Sequence, residues 1–102
     1  MLTYEAPLEE FKFLLHEYLN VSEQEITGFR ELTAEFTSDI LAMGAKVATE
    51  VLLPVNRSGD QEGCKFENGL VTTPKGFVKA FNEIKRGGWT SIDCDPLYGG
   101  QG

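Results

Sequence analysis

Cysteine, histidine and tryptophan are scarce in this chain of 102 residues, which holds two, one and one of them. Cys64 and Cys94 lie thirty residues apart with no secretory leader ahead of them, so no disulfide framework is expected. They also lack CxxC or Cys/His spacing, which leaves a zinc site without ligands. The single histidine, His16, has no orienting carboxylate and no nucleophile at a recognisable spacing. It therefore reads as a surface or packing histidine, not a general base. No apolar run approaches the roughly 18 residues that a membrane span needs. No basic-then-apolar leader opens the chain, so cytoplasm is the expected compartment. Basic residues are the last shortage. Nine Lys and Arg against sixteen Asp and Glu give a net charge of −7 and a pI near 4.6. Such a chain repels phosphate, which argues against nucleic acid or an anionic membrane as partner.

What is present is ordinary globular material. Hydrophobic residues make up 41% and charged residues 25%, which is not the composition of a disordered tail. A chain of this length buries roughly two-thirds of its unfolded surface, enough for one modest core. Glu5, Glu9, Glu10, Glu17, Glu23, Glu25, Glu31 and Glu35 are spread along the first third and read as solvated faces.

Periodicity gives a mainly α chain forming one helical domain over residues 1–102. Leu8, Phe11, Leu14, Leu15, Tyr18 and Leu19 form one stripe of a helix over 8–19, with Pro7 at its start and Asn20 as its stop. Ser22 and Glu25 have capping-box spacing and predict a short turn through Ile26. A long helix over 33–57 follows, capped by Thr33, with Phe36, Ile40, Met43, Val47 and Val51 on its stripe. Pro54 is expected to kink or end it, because proline removes one i→i−4 bond. Residues 56–63 read as loop. Asn68-Gly69 between two short runs predicts a hairpin over about 64–72, since both central positions of a type I′ turn need positive φ. The last helix is expected over 74–86, with Thr73 as N-cap, Phe77, Val78, Phe81 and Ile84 as stripe, and Gly87 as C-cap.

Few residues suggest chemistry. Cys94 lies between Asp93 and Asp95, whose charges disfavour a thiolate. Those two aspartates cannot supply the six to eight oxygens of a calcium site, so they read as solvated loop acids. Trp89 reads as a core or interface anchor. The run Tyr98-Gly99-Gly100-Gln101-Gly102 has no lysine after its second glycine and no strand before it, so it is no P-loop. It suits a tight turn at the rim of a pocket. No strand or helix follows it, and the chain reads as cut where a functional region would begin.

Taken in order, several stretches resemble the N-terminal region of the acyl-CoA dehydrogenases, in particular the subgroup with an N-terminal extension, the 3-methylmercaptopropionyl-CoA dehydrogenase type. They are Tyr4-Glu5-Ala6-Pro7-Leu8 with Phe13-Leu14-Leu15-His16-Glu17, then Val51 through Asp60 with Glu62-Gly63-Cys64. Val71-Thr72-Thr73-Pro74 with Gly76-Phe77, Gly87-Gly88-Trp89, and Asp95-Pro96 with Tyr98 through Gly102 complete the set. Residues 20–35 match no pattern of the family. The resemblance implies a parent oxidoreductase of fatty acid metabolism that converts an acyl-CoA thioester to its 2,3-enoyl form. FAD would accept the hydride, and a glutamate base would lie in a later domain. It implies that this piece carries no catalytic, flavin-binding or metal residue. It would pack on the middle and C-terminal domains of a homo-oligomeric flavoprotein and be inactive alone. Tyr98, Gly99, Gly100, Gln101 and Gly102 would lie nearest the substrate. The rival expectation is a complete, small acidic helical module that presents a groove to a protein partner.

Overall fold

The computed structural model describes residues 3–102. It is mainly helical, with one two-stranded antiparallel sheet. Packing divides it into two compact units, Glu5–Ala48 and Thr49–Gly102, with Thr3 and Tyr4 grouping with the second.

In the first unit, helix α1 (Leu8–Lys12) runs on into a π-helical stretch, Phe13–Tyr18. The Leu19 amide closes it on the Leu14 carbonyl, five residues back, at 2.9 Å. Asn20 then stops the helix in the left-handed region, at φ 49°, which asparagine tolerates better than most residues. The capping box expected at Ser22 does not form. Ser22 lies inside a 3₁₀ turn, Val21–Glu23, whose N-cap is Asn20. The Gln24 side-chain amide, 2.7 Å from the Leu19 carbonyl, satisfies the helix end instead. A second 3₁₀ turn, Phe29–Glu31, starts from Gly28 at φ 87°. Thr33 caps α2 (Ala34–Lys46) as its sequence position indicates, its Oγ1 accepting from the Phe36 amide at 3.2 Å.

Helical backbone continues without a break from Ala34 to Glu62, through a π stretch (Val47–Leu52) and α3 (Leu53–Glu62). This corrects the expected loop over residues 56–63 and carries the helix past its expected limit at 57; of the two outcomes expected at Pro54, a kink or an end, the end does not occur. Proline lacks an N–H and its ring crowds the carbonyl four residues back, here that of Glu50. Glu50 lies within the π stretch, and Pro54 lies in the first turn of α3. The wider π closure takes up the misfit, and the helix survives its proline. Gly63, at φ 69°, ends it.

The hairpin pairs β1 (Lys65–Glu67) with β2 (Leu70–Thr72) around Asn68 and Gly69, both at positive φ. Helix α4 (Phe77–Arg86) begins three residues later than Pro74. Thr73 is therefore not its N-cap. The Lys75 amide donates to Glu62 Oε2 at 2.8 Å, and Gly76 turns the chain at φ 93°. A side chain at Gly76 would come within 2.9 Å of Val55 Cγ1, so glycine lets the turn lie against α3. At the other end Gly87 is the C-cap residue, while Gly88 takes the left-handed conformation at φ 81°.

Burial is thin throughout. Val21, Pro74 and Ala80 are the buried apolar side chains among the described residues, and Thr37 is the buried polar one. The accessible surface is 8321 Å². A free-standing globule of 11.3 kDa exposes roughly 5,700 Å², and two separate globules of half that mass roughly 6,900 Å² together. The excess thus belongs to the units themselves. Stripe residues account for part of it: Phe36, Met43, Val78 and Phe81 are all exposed.

Candidate functional site

Residues 88–102 form a loop that closes on itself through backbone hydrogen bonds. From Gly88 a 3₁₀ turn (Trp89–Ser91) leads to Ile92 and Asp93. Asp95 then caps a second turn, Pro96–Tyr98, with Oδ1 accepting from the Leu97 amide at 2.8 Å. Beyond that turn the chain folds back. The amides of Tyr98 and Gly100 donate to the Asp95 carbonyl at 2.9 and 3.1 Å, and that of Gly99 to Pro96 at 3.0 Å. The Gln101 amide reaches the Ser91 carbonyl at 3.1 Å and the Gly102 amide the Cys94 carbonyl at 2.8 Å. Six consecutive amides, from Leu97 to Gly102, are satisfied inside this one loop.

Glycine is required at two places for different reasons. Gly99 sits at φ 89°, a conformation L side chains rarely adopt. Gly100 has ordinary φ, but a Cβ there would collide with the carbonyl group of Cys94. The glycine run therefore turns toward its own loop.

This arrangement bears on the flavin that the resemblance implies for a parent enzyme. A pyrophosphate is held by free backbone amides, often at a glycine-rich turn. The amides of Gly99, Gly100, Gln101 and Gly102 already have carbonyl partners. These residues do not fit a phosphate cradle, and no flavin step is assigned to them.

Cys64 and Cys94 are free and exposed, and the Cys94 thiol lies 3.9 Å from Asp93 Oδ1. Among the described residues no group of three or more His, Cys, Asp or Glu could hold a metal ion. Trp89 is half-buried, and its indole covers Gly87, where a Cβ would lie 2.9 Å from Cδ1 and Nε1. His16 is no isolated surface residue. Its Nε2 lies 2.6 Å from Oγ1 of the buried Thr37. The Thr37 hydroxyl also lies 3.1 Å from the Thr33 carbonyl. With its proton donated there, the hydroxyl accepts from His16 Nε2–H, joining the π stretch to α2. Sequence reading had no signal for this pair, which is 21 residues apart. It also passed over Leu97, which projects from the loop beside Tyr98: the two are 79% and 83% exposed.

No family model matches the chain. Over 102 residues, 99% of its length, it is 26% identical to the 3-methylmercaptopropionyl-CoA dehydrogenase of Ruegeria pomeroyi. Over 95 residues, 83% of its length, it is 28% identical to the butyryl-CoA dehydrogenase of Syntrophomonas wolfei subsp. wolfei. The chain spans only 17% and 15% of the lengths of these two relatives. Both are named as acyl-CoA dehydrogenases, so the likeness is to that family and not to one of its subgroups. Among the described residues no helix is long and apolar enough to cross a membrane.

Proposed function

We propose that these 102 residues are the N-terminal domain of an FAD-dependent acyl-CoA dehydrogenase of the 3-methylmercaptopropionyl-CoA dehydrogenase type, which oxidises an acyl-CoA thioester to the 2,3-enoyl-CoA. The observation that carries this reading is the alignment of nearly the whole chain with about one-sixth of an acyl-CoA dehydrogenase. The thin core agrees with it. Side chains such as Phe36, Met43, Val78 and Phe81 lie at core spacing but are exposed, as they would be in a domain whose covering partners lie elsewhere in the polypeptide. The domain's work is to pack on the flavin-bearing part and help wall the acyl site from water, which suppresses side reactions of reduced flavin and of an acidified α-carbon. The turn from Tyr98 to Gly102 is the part set nearest the substrate. The domain is silent alone, because base and flavin contacts belong to the rest of the enzyme.

The test is to express the complete reading frame around this sequence and measure acyl-CoA-dependent reduction of an electron-accepting dye, beside the 102-residue chain alone. The longer protein should be yellow and active, and the short chain colourless and inactive. A reading frame that stops at Gly102, or a yellow short chain, would overturn the proposal. The first of these would leave an acidic protein-interaction module as the reading.

A further inference from the structure

We infer that Leu97 and Tyr98 form an anchor by which this segment docks on an apolar surface of the remainder of its own polypeptide; the inference rests on the domain reading above. Three observations lead to it. The loop is self-sufficient, since its amides from Leu97 to Gly102 all have partners within residues 91–102, so it requires no partner for its own backbone. It is also fixed: Asp95 caps its turn, Pro96 restricts its φ, and Gly100 lies against the Cys94 carbonyl. Yet the two side chains it holds outward are large and apolar, and they are the most exposed large hydrophobic residues among those described. A solvated linker has no use for such a tip. A preorganised loop that presents an aliphatic and an aromatic side chain loses little freedom on docking, which is what interface anchors exploit.

The occupant follows from length. The chain accounts for 17% and 15% of its relatives, so more than four-fifths of a protein of that size lies outside it and is tethered to it. A tethered surface meets the anchor at an effective concentration that a separate partner seldom matches. The hairpin residues Phe66, Leu70 and Val71 are also exposed, but they stand on two strands of three residues each. Such a hairpin is marginal by itself.

The test is hydroxyl-radical footprinting of the complete polypeptide, native against urea-denatured. Tyr98 and Leu97 should be modified at least tenfold more slowly in the native protein, and equal rates would overturn the anchor. A single variant, Leu97→Ser, should lower the melting temperature of the complete protein by several degrees and hasten proteolytic release of this segment. It should leave the KM for short and long acyl-CoA substrates in the same ratio. An unchanged melting temperature with a KM shift that depends on chain length would mean that Leu97 faces substrate, and would overturn the docking. Protection that vanishes on dilution to the monomer would assign the surface to a second copy, with the same consequence. Protection in a protein that neither binds flavin nor oxidises acyl-CoA would uphold the anchor and refute the enzyme.

Discussion

Each of the two compact units is held together internally by different physics. Residues 5–48 carry nine of the sixteen acidic side chains and three of the nine basic ones, while residues 49–102 carry seven and six. The acidic unit joins its helices through a polar contact, His16 on Thr37. The nearly neutral unit joins its elements through missing side chains. Gly59 admits the Phe77 ring, Gly76 admits Val55, and Gly100 admits the Cys94 carbonyl. Close approach through glycine tolerates no added atom, whereas a single hydrogen bond has a modest net worth. Substitutions should therefore hurt the second unit more than the first.

The largest effect is expected at Gly100. In Gly100→Ala the new methyl meets backbone, which cannot swing aside, and overpacking of this kind costs about 2 kcal/mol. Amide exchange at Gln101 and Gly102 should quicken by roughly thirtyfold, since about 1.4 kcal/mol is a factor of ten. Unchanged protection would show that the fold-back does not depend on that glycine. Gly59→Ala comes next and sets two terms against each other. Alanine in a helix gains about 1 kcal/mol over glycine, but its methyl would occupy the space of the Phe77 ring, at about 1–3 kcal/mol. Denaturant unfolding should show a net loss of about 1 kcal/mol. In a Phe77→Ala background the same change should become stabilising, and a loss that persists there would rule out the ring as its cause.

In the acidic unit Thr37→Val should cost about 1 kcal/mol, because it removes the oxygen that His16 faces and leaves a part-buried ring nitrogen without that partner. The valine variant keeps volume, so the loss reports the hydroxyl's bonds to His16 and to the Thr33 carbonyl together. A double-mutant cycle with His16→Ala should return a coupling of about 1 kcal/mol. A coupling near zero would mean that the first unit is held by its sparse apolar contacts alone, and the contrast between the units would fail.

How much of this was legible in the sequence depends on the range of the interaction. Thr33 as N-cap, Asn20 as helix stop and the Asn68-Gly69 turn are local, and each residue states its own conformational preference. The anchor site was half legible. Tyr98 through Gly102 stood out by composition, and no composition shows that their amides turn inward onto Ser91, Cys94 and Asp95. Leu97 was invisible because an isolated leucine carries no pattern. His16–Thr37 could not be read because it joins two helices. The capping box at Ser22 failed because Asn20, already left-handed, began the turn two residues earlier.

Pro54 gives the smallest effect and the most specific check on the helix. An uncompensated proline inside a helix costs about 3 kcal/mol relative to alanine. Here the chain already closes i→i+5 over Val47–Leu52, and Pro54 lies in the first turn of α3, where a missing N–H matters least. The misfit is relieved before the substitution is made. Pro54→Ala should therefore change stability by no more than about 1 kcal/mol in either direction, read by denaturant unfolding. A gain approaching about 3 kcal/mol would mean that the π stretch does not accommodate the proline. The same outcome would assign that stretch to the residues around it, as in Phe13–Tyr18, where no proline lies downstream before Pro54. The two π stretches would then share a cause that does not involve proline, and the unbroken helix from Ala34 to Glu62 would owe its length to packing.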